Sequence, residues 1–288
     1  MIDQETKLRE LARNYGNGGD SSPSIPRTIA ITSGKGGVGK TSVVVNLALQ
    51  LAKMEKKVAI IDADFGLSNA EILMGCIPPY SMYDVFNQKK TIAEIVVDVY
   101  GISLIPGGSG FQEMANLDRE QLDKLLTQLK DFVVGYDFLF IDTGAGISKN
   151  VLGFVVAAQE VIVVTTSEPT SLTDAYSMIK ILSNFHIHSK VNVIINRALN
   201  YAEVEQTRKK LDTAVEKFLQ IRINHLGYII EDKCVAKAVK NQRPFIITNP
   251  NFNASRDIYK ISCSLLQLET SKVNTIDRLI GKLVNLFR

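Results

Sequence analysis

The chain has 288 residues, a formal net charge of +3 and 45% hydrophobic residues. A chain of this length can form one large α/β domain or two small ones, and its apolar content supports a substantial core. So small a net charge does not demand a nucleic-acid partner, although it does not exclude one.

The sequence gives no sign of a targeting or membrane-spanning segment. No charged and then apolar leader opens it, and no apolar run approaches the roughly 18 residues that a spanning helix needs. The three cysteines, Cys76, Cys234 and Cys263, have no C-x-x-C spacing, which is typical of ordinary thiols in a reducing compartment. We therefore expect a cytoplasmic protein whose contact with a membrane would be peripheral.

The first part of the chain divides into a helical pattern and a linker. Residues 1–13 are predicted to form a short polar helix, and residues 14–27 are rich in Gly, Ser and Pro, as flexible linkers are. A disordered N-terminus is one explanation of this composition. A recognition helix on a tether is the other, because a helical pattern precedes the linker.

Residues 28–270 alternate between apolar strands and helical patterns. The predicted strands are residues 28–33, 57–62, 102–105, 138–142, 161–165, 191–196 and 225–230. The predicted helices are residues 42–53, 118–130, 149–158, 171–185, 203–219 and 233–240. Continuous apolar strands separated by helices indicate one α/β domain, with a mostly parallel, doubly wound sheet covered by helices on both faces.

A glycine-rich segment joins the first predicted strand to the first predicted helix. It consists of Gly34, Lys35, Gly36, Gly37, Val38, Gly39, Lys40 and Thr41, and Ser42 follows it. Glycines let the backbone turn tightly and direct several N–H groups inward, and the helix N-terminus adds further unpaired N–H groups. Lys40 can reach the β- and γ-phosphates of a nucleotide, and the Thr41 hydroxyl can bind Mg²⁺. The segment therefore predicts a phosphate-binding loop.

The same loop also matches the weaker G-x-G-x-x-G pattern of dinucleotide-binding folds, and Asp62 and Asp64 stand where such folds bind ribose. A dinucleotide site has no need of Lys40 and Thr41, whereas phosphoryl transfer needs a cation on the phosphates and a hydroxyl on the metal. Asp142 follows a fully apolar strand, as in nucleoside triphosphatases. These residues favour a P-loop nucleoside triphosphatase.

Three carboxylates lie at predicted strand ends, which share one edge of a parallel sheet. We assign Asp142 to Mg²⁺ through water, Asp62 to the outer shell of the metal, and Asp64 to the attacking water. Each of them could instead only cap the turn that follows its strand.

Two further residues have more than one interpretation. Asn196 ends a predicted strand and could bond the adenine ring, but an asparagine there is as consistent with a turn. Lys35 is not required by the geometry of the loop. It could reach its own phosphates, face solvent, or reach the phosphates of a partner subunit.

The segment 271–288 contains an amphipathic helical pattern. Its apolar side includes Ile276, Leu279, Ile280, Leu283 and Phe287. The opposite side is mainly basic, as in helices that lie on anionic membranes. The alternative is a helix that packs on its own domain, which is the commoner fate of such a pattern.

Together these segments resemble the MinD/ParA family of dimerising ATPases. The similar segments are residues 34–41 (deviant Walker A loop), 62–69 (switch I), 142–146 (Walker B and switch II), 168–175 and 195–197. The resemblance runs from about residue 28 to residue 244. It departs from the MinD pattern at Gly144 and Ile230, where proline is common.

The resemblance implies an enzyme that hydrolyses ATP to ADP with Mg²⁺ and dimerises around the nucleotide. In that family Lys35 would contact phosphates across the homodimer, Lys40 would act on its own nucleotide, and Asp64 would orient the hydrolytic water. The adenine base is implied to lie near Asn196, Arg197 and the segment around residues 230–235, which begins with Ile230 and Glu231.

Within the family, the chain most resembles the FlhG branch of flagellar number regulators. The matching N-terminal activator motif comprises Asp3, Gln4, Leu8, Arg9 and Leu11. In that branch this helix stimulates the SRP-type GTPase FlhF, and a C-terminal amphipathic helix is shared with MinD. The resemblance implies a homodimer that regulates the number or placement of flagella and, when ATP-bound, associates with the inner face of the cell membrane.

Two other branches are alternatives. A MinD-type division-site ATPase would lack the N-terminal motif and its linker, and a ParA-like partition ATPase would bind DNA, for which the sequence shows no concentrated basic patch. The FlhG resemblance also implies contact with flagellar switch-complex components or a flagellar transcription activator in some lineages.

Overall fold

The computed structural model of the protein describes residues 26–64, 69–108, 119–185 and 188–268. The predicted helix 1–13, nearly all of the linker 14–27 and the predicted helix 271–288 lie outside the described residues. The interpretations of these segments therefore stay predictions.

The described strands form one eight-stranded sheet in the order β3-β4-β2-β5-β1-β6-β7-β8. The strands are β1 Arg27–Ser33, β2 Val58–Ala63, β3 Val97–Val99, β4 Ile102–Ile105, β5 Phe138–Ala145, β6 Glu160–Thr165, β7 Lys190–Ala198 and β8 Arg222–Ile230. All seven predicted strands are present, and the parallel pairing is confirmed. The sequence pattern does not predict β3, which pairs antiparallel with β4 at the edge of the sheet.

Helices connect the strands. They are α1 Lys40–Lys53, α2 Asn69–Met74, α3 Met82–Phe86, α4 Ile92–Ile95, α5 Arg119–Val133, α6 Lys149–Ala157, α7 Pro169–Asn184, α8 Tyr201–Phe218, α9 Lys233–Lys240, α10 Phe245–Thr248 and α11 Asn253–Gln267. The six predicted helices are confirmed with small differences at their ends. None of the described helices combines the length and the apolar content that crossing a bilayer requires.

The long helix α11 is the main element that the sequence analysis missed. Ile258, Ile261 and Leu265 are fully buried and lie on one face of this helix, at the spacing expected for an amphipathic helix. The guanidinium of Arg27 donates a hydrogen bond to the carbonyl oxygen of Leu265 at 2.8 Å and fixes the end of α11 at the start of β1.

Both faces of the sheet are covered, as predicted. In β1, Ile29 and Ile31 belong to an apolar cluster with α1 and α11, whereas Ala30 belongs to a cluster with α6 and α7. Successive side chains of a strand point to opposite faces, so one strand contributes to both clusters. The sheet is therefore the central layer between two helical layers.

The register of the parallel strands brings the predicted site residues to one edge of the sheet. β1 lies between β5 and β6, and in the ladders Ile31 pairs with Asp142 and Asp62 pairs with Asp142. The glycine-rich loop leaves β1 at the same edge. In open α/β sheets, ligands bind at this edge, in the crevice beyond the carboxyl ends of the strands.

Candidate functional site

The glycine-rich loop joins β1 to the N-terminus of α1. Gly37 and Gly39 have φ values of 78° and 85°, which lie in the left-handed region that glycine adopts without strain. Gly34 is also confined, because a Cβ atom there would lie 2.2 Å from the carbonyl oxygen of Asp174. The loop thus ends at the unpaired N–H groups of α1, where an anion is stabilised.

A buried ion pair connects this loop to the centre of the sheet. Lys40 Nζ lies 2.6 Å from Asp142 Oδ1, and their side chains are 6% and 0% exposed. Burial raises the pKa of Asp142, although the Lys40 ammonium and the nearby Thr41 hydroxyl act in the opposite direction. The second oxygen, Asp142 Oδ2, has no hydrogen-bond partner among the described residues.

Asp62 lies beside Asp142 on the neighbouring strand. Its Oδ1 accepts a hydrogen bond from the Asp64 N–H at 3.1 Å, and its Oδ2 accepts one from the Ala70 N–H at 3.2 Å. Burial, followed by the charge of Asp142, raises the pKa of Asp62 to about 7. The start of α2 is therefore hydrogen-bonded to a carboxyl group whose pKa lies near neutral pH.

The residues predicted to bind metal fit Mg²⁺. Oxygen ligands are available from Asp142 Oδ2, from the buried Asp62 carboxylate and from the Thr41 hydroxyl. The described residues contain no group of three or more acidic, histidine or cysteine side chains that could hold a metal unaided. Mg²⁺ typically takes one or two carboxylates together with water and substrate phosphates, so this donor set suits a metal that arrives with a nucleotide.

Asp64 faces the cavity above the phosphate loop. Its Oδ2 accepts a hydrogen bond from Asn69 Nδ2 at 2.9 Å, which connects it to α2. On its other side, a Cβ atom at Gly144 would lie 3.1 Å from Asp64 Oδ1. The glycine at position 144 therefore leaves room for the carboxylate. The cavity is lined by Gly36, Lys40, Thr41, Asp64, Asn69 and Ala145.

A second cavity adjoins the glycine-rich loop and contains residues that are predicted to lie near the base. It is lined by Gly39, Ser42, Asn196, Arg197, Ile230 and Glu231. Arg197 has a φ of 57°, and its guanidinium lies 3.5 Å from the Glu231 carboxylate. Val239 and Phe245, which the sequence pattern does not predict, also line this cavity. No local motif marks these two side chains, because α9 and α10 bring them to the cavity only by packing.

Lys35 has a defined position at the start of α7. Its ammonium lies 3.1 Å from Glu168 Oε2 and 3.1 Å from the Thr170 hydroxyl. Lys35 and Glu168 are 41% and 61% exposed, so this is a surface ion pair. In the structure Lys35 therefore contacts protein groups of its own chain. This arrangement differs from the three that the sequence leaves open.

Comparison with known proteins agrees with this geometry. A family model described as an AAA domain matches residues 26–196. The antiactivator FleN of Pseudomonas aeruginosa is 39% identical over 80% of this chain and 82% of its own length. The flagellum site-determining protein YlxH of Helicobacter pylori is 32% identical over 84% of this chain and 83% of its own length.

Solved structures show the same fold. The MinD cell division protein of Aquifex aeolicus superposes with a TM-score of 0.68 at 26% identity, and the match covers 85% of this chain and 98% of that one. The septum site-determining protein MinD of Pyrococcus horikoshii, solved with Mg-ADP, superposes with a TM-score of 0.68 at 23% identity over 84% of this chain and 96% of that one.

The raised pKa of Asp62 predicts that the binding of Mg²⁺ depends on pH. Below a pH of about 7 the carboxyl is protonated, so Mg²⁺ must displace a proton. We expect the affinity for Mg²⁺, measured by calorimetry with saturating ADP, to fall by up to about tenfold between about pH 8 and about pH 6. Proton release should accompany binding and can be read from buffers with different ionisation enthalpies.

In the variant Asp62→Asn the affinity for Mg²⁺ should depend much less on pH, and the dependence that remains comes from titration of the nucleotide. Asp131→Asn, at an exposed carboxylate of α5, should behave as the wild type does. Equal pH dependence in Asp62→Asn and the wild type would show that Asp62 does not control the metal.

Proposed function

The chain belongs to the MinD/ParA family of ATPases, and on that premise we propose that it is an ATP-dependent molecular switch of the FlhG branch, which regulates the number or placement of flagella. The observation that carries the catalytic part is the Lys40–Asp142–Asp62 cluster beside the glycine-rich loop. The similarity to the antiactivator FleN over most of the chain supports the flagellar branch.

The nucleotide site follows from the contacts at the sheet edge. The N–H groups of residues 36–42 and the Lys40 ammonium would bind the phosphates of ATP, and Thr41, Asp62 and Asp142 would hold Mg²⁺. The metal would neutralise negative charge on the phosphates. Since Lys40 pairs with Asp142 in this structure, phosphate binding would redirect the ammonium and leave Asp142 for the metal.

Asp64 is the proposed catalytic carboxylate. The hydrogen bond that it accepts from Asn69 holds Asp64 at the cavity above the glycine-rich loop. There its carboxylate can accept a proton from a water molecule or orient that water molecule toward the γ-phosphate. Gly144 provides the space that this carboxylate needs to change position. Residues 65–68, between Asp64 and Asn69, lie outside the described residues.

Lys35 is the proposed contact with a second copy of the chain. The Lys35–Glu168 pair is more than a third exposed on both sides, and exposed pairs contribute about 0–1 kcal/mol. Lys35 can therefore leave Glu168 and Thr170 at little cost and reach the phosphates bound by a partner subunit. ATP would in this way be required for the homodimer, and hydrolysis would return monomers.

The two terminal segments would determine the surface to which the dimer binds and the protein that it contacts. Segment 271–288 would lie on the anionic inner face of the cell membrane, and two such helices in a dimer bind far better than one. Monomers would then be cytoplasmic. The residues of the motif within segment 1–13 would contact FlhF and stimulate its GTPase activity. Flagellar switch-complex components or a flagellar transcription activator are further candidate partners.

We expect Asp64→Ala to keep ATP binding and to lower ATP turnover by about 100-fold or more, because the attacking water loses the group that orients it. The unhydrolysed ATP should hold the protein as a dimer, which light scattering after gel filtration would detect. Asp131→Ala should hydrolyse ATP as the wild type does. Full hydrolysis by Asp64→Ala would contradict the role of this carboxylate.

Deletion of residues 275–288 should abolish ATP-dependent binding to vesicles that contain phosphatidylglycerol and should leave ATP hydrolysis in solution intact. In the full chain, Leu283→Glu should reproduce the loss and Asn285→Gln, on the polar side, should not. Sedimentation of the shortened protein with anionic vesicles would show that the anchor lies elsewhere.

A peptide of residues 1–13 should accelerate GTP turnover by FlhF, because the motif is expected to act as a separate helix. A peptide in which Leu8 and Leu11 are replaced by alanine serves as the control, since it keeps the charges and loses the apolar contacts. Absence of stimulation by the native peptide would favour a MinD-type division-site ATPase. Binding to nonspecific DNA with a steep salt dependence would favour a ParA-like one.

A further inference from the structure

A buried hydrogen bond connects the base side of the site to the phosphate loop. Asn196 stands near the end of β7 and is 7% exposed. Its Nδ2 donates to the carbonyl oxygen of Val38 at 2.7 Å, across 158 positions of the sequence. Its Oδ1 accepts the N–H of Arg197 at 3.0 Å. Both ends of the side-chain amide are therefore bonded to protein groups.

The packing around this bond leaves little freedom. A Cβ atom at Gly39 would lie 2.4 Å from Asn196 Nδ2, so only glycine fits beneath the amide. The Val38 side chain is 3% exposed and belongs to the main apolar core. Residue 38 is thus fixed twice, by its side chain in the core and by its carbonyl oxygen on Asn196.

The direction of this bond has a consequence for the next N–H group. A trans peptide is planar, and its C=O and N–H point in opposite directions. Because the Val38 carbonyl points to Asn196, the Gly39 N–H must point away from Asn196. The bond therefore selects one of the orientations that a glycine-rich backbone can adopt, before any anion is present.

We propose that Asn196 is a positioning residue, which sets the Val38–Gly39 peptide for phosphate binding and contributes to nucleotide affinity through the triphosphate. This rests on the proposed nucleotide site and deepens it. An asparagine amide has two N–H groups and two acceptor lone pairs, and one of each is already used here. A flexible loop without this bond would lose conformational entropy on binding any triphosphate, whatever its base.

The test compares ATP with ribose triphosphate, which carries the same phosphates and lacks the base. Asn196→Ala should weaken both ligands by the same factor, about tenfold, as expected for loss of one buried hydrogen bond. Asn196→Asp keeps the size of the side chain but places an oxygen against the Val38 carbonyl, so its loss should be larger and again equal for the two ligands. Calorimetry with Mg²⁺ measures both affinities.

Asn192→Ala is the matched control. Asn192 lies on the same strand and is 3% exposed, but its side chain accepts a hydrogen bond from Asn224 and donates one to Glu160, and it makes none with the loop. It is expected to lower stability without changing the affinity for either ligand. Loss of ATP affinity in the Asn196 variants with unchanged affinity for ribose triphosphate would overturn the proposal and make Asn196 a reader of the base.

Hydrogen exchange of the nucleotide-free protein gives a second readout. Amide groups of residues 36–40 should exchange faster in Asn196→Ala and Asn196→Asp than in the wild type, and should be unchanged in Asn192→Ala. Equal exchange in all four proteins would overturn the proposal. If the wild type bound neither triphosphate, the proposed function would fail, and the exchange rates would still decide the role of Asn196.

Discussion

The buried ion pair of Lys40 and Asp142 is the interaction on which the site depends. A buried charge is costly unless it is paired, and the register of β1 and β5 brings the loop that follows β1 close enough to Asp142 for Lys40 to reach it. That register places the glycine-rich loop over the centre of the sheet. Among the described residues, Asp142 Oδ2 has no hydrogen-bond partner, and Asp62 lies on the neighbouring strand. A metal and a polyphosphate are complementary to this arrangement.

Four of the candidate site side chains contact other groups of the protein. Lys40 contacts Asp142, Lys35 contacts Glu168, Asp64 contacts Asn69, and Asn196 contacts the Val38 carbonyl. These contacts differ in strength because they differ in exposure. The exposed Lys35 pair can break at little cost, whereas the buried contacts require a compensating ligand. The candidate site therefore combines one exposed contact that breaks easily with buried contacts that hold its framework.

Prediction from the sequence failed for elements and side chains whose position depends on tertiary packing more than on local pattern. β3 is three residues long and lies at the edge of the sheet, too short for its alternation to stand out. Helix α11 was missed although Ile258, Ile261 and Leu265 have helical spacing, because no predicted strand follows it in the sequence to mark another strand–helix repeat. Phe245 reaches the cavity lined by Asn196 and Arg197 through α10, whose position depends on packing against α1. Long apolar runs predict elements well, and short or terminal elements depend on their neighbours.

The sequence by itself determined the central elements of the sheet, the phosphate loop and the chemical type of each site residue. A strand, a glycine-rich loop and a helix start are contiguous, so backbone conformation and local charge suffice to specify a phosphate cradle. Only the tertiary structure decided which groups touch. Lys40 meets Asp142, Lys35 meets Glu168 and Asn196 meets Val38 across more than 100 residues of chain in each case. Such contacts follow from strand order and register, which local sequence does not encode, because they arise when distant segments bury their apolar surfaces together.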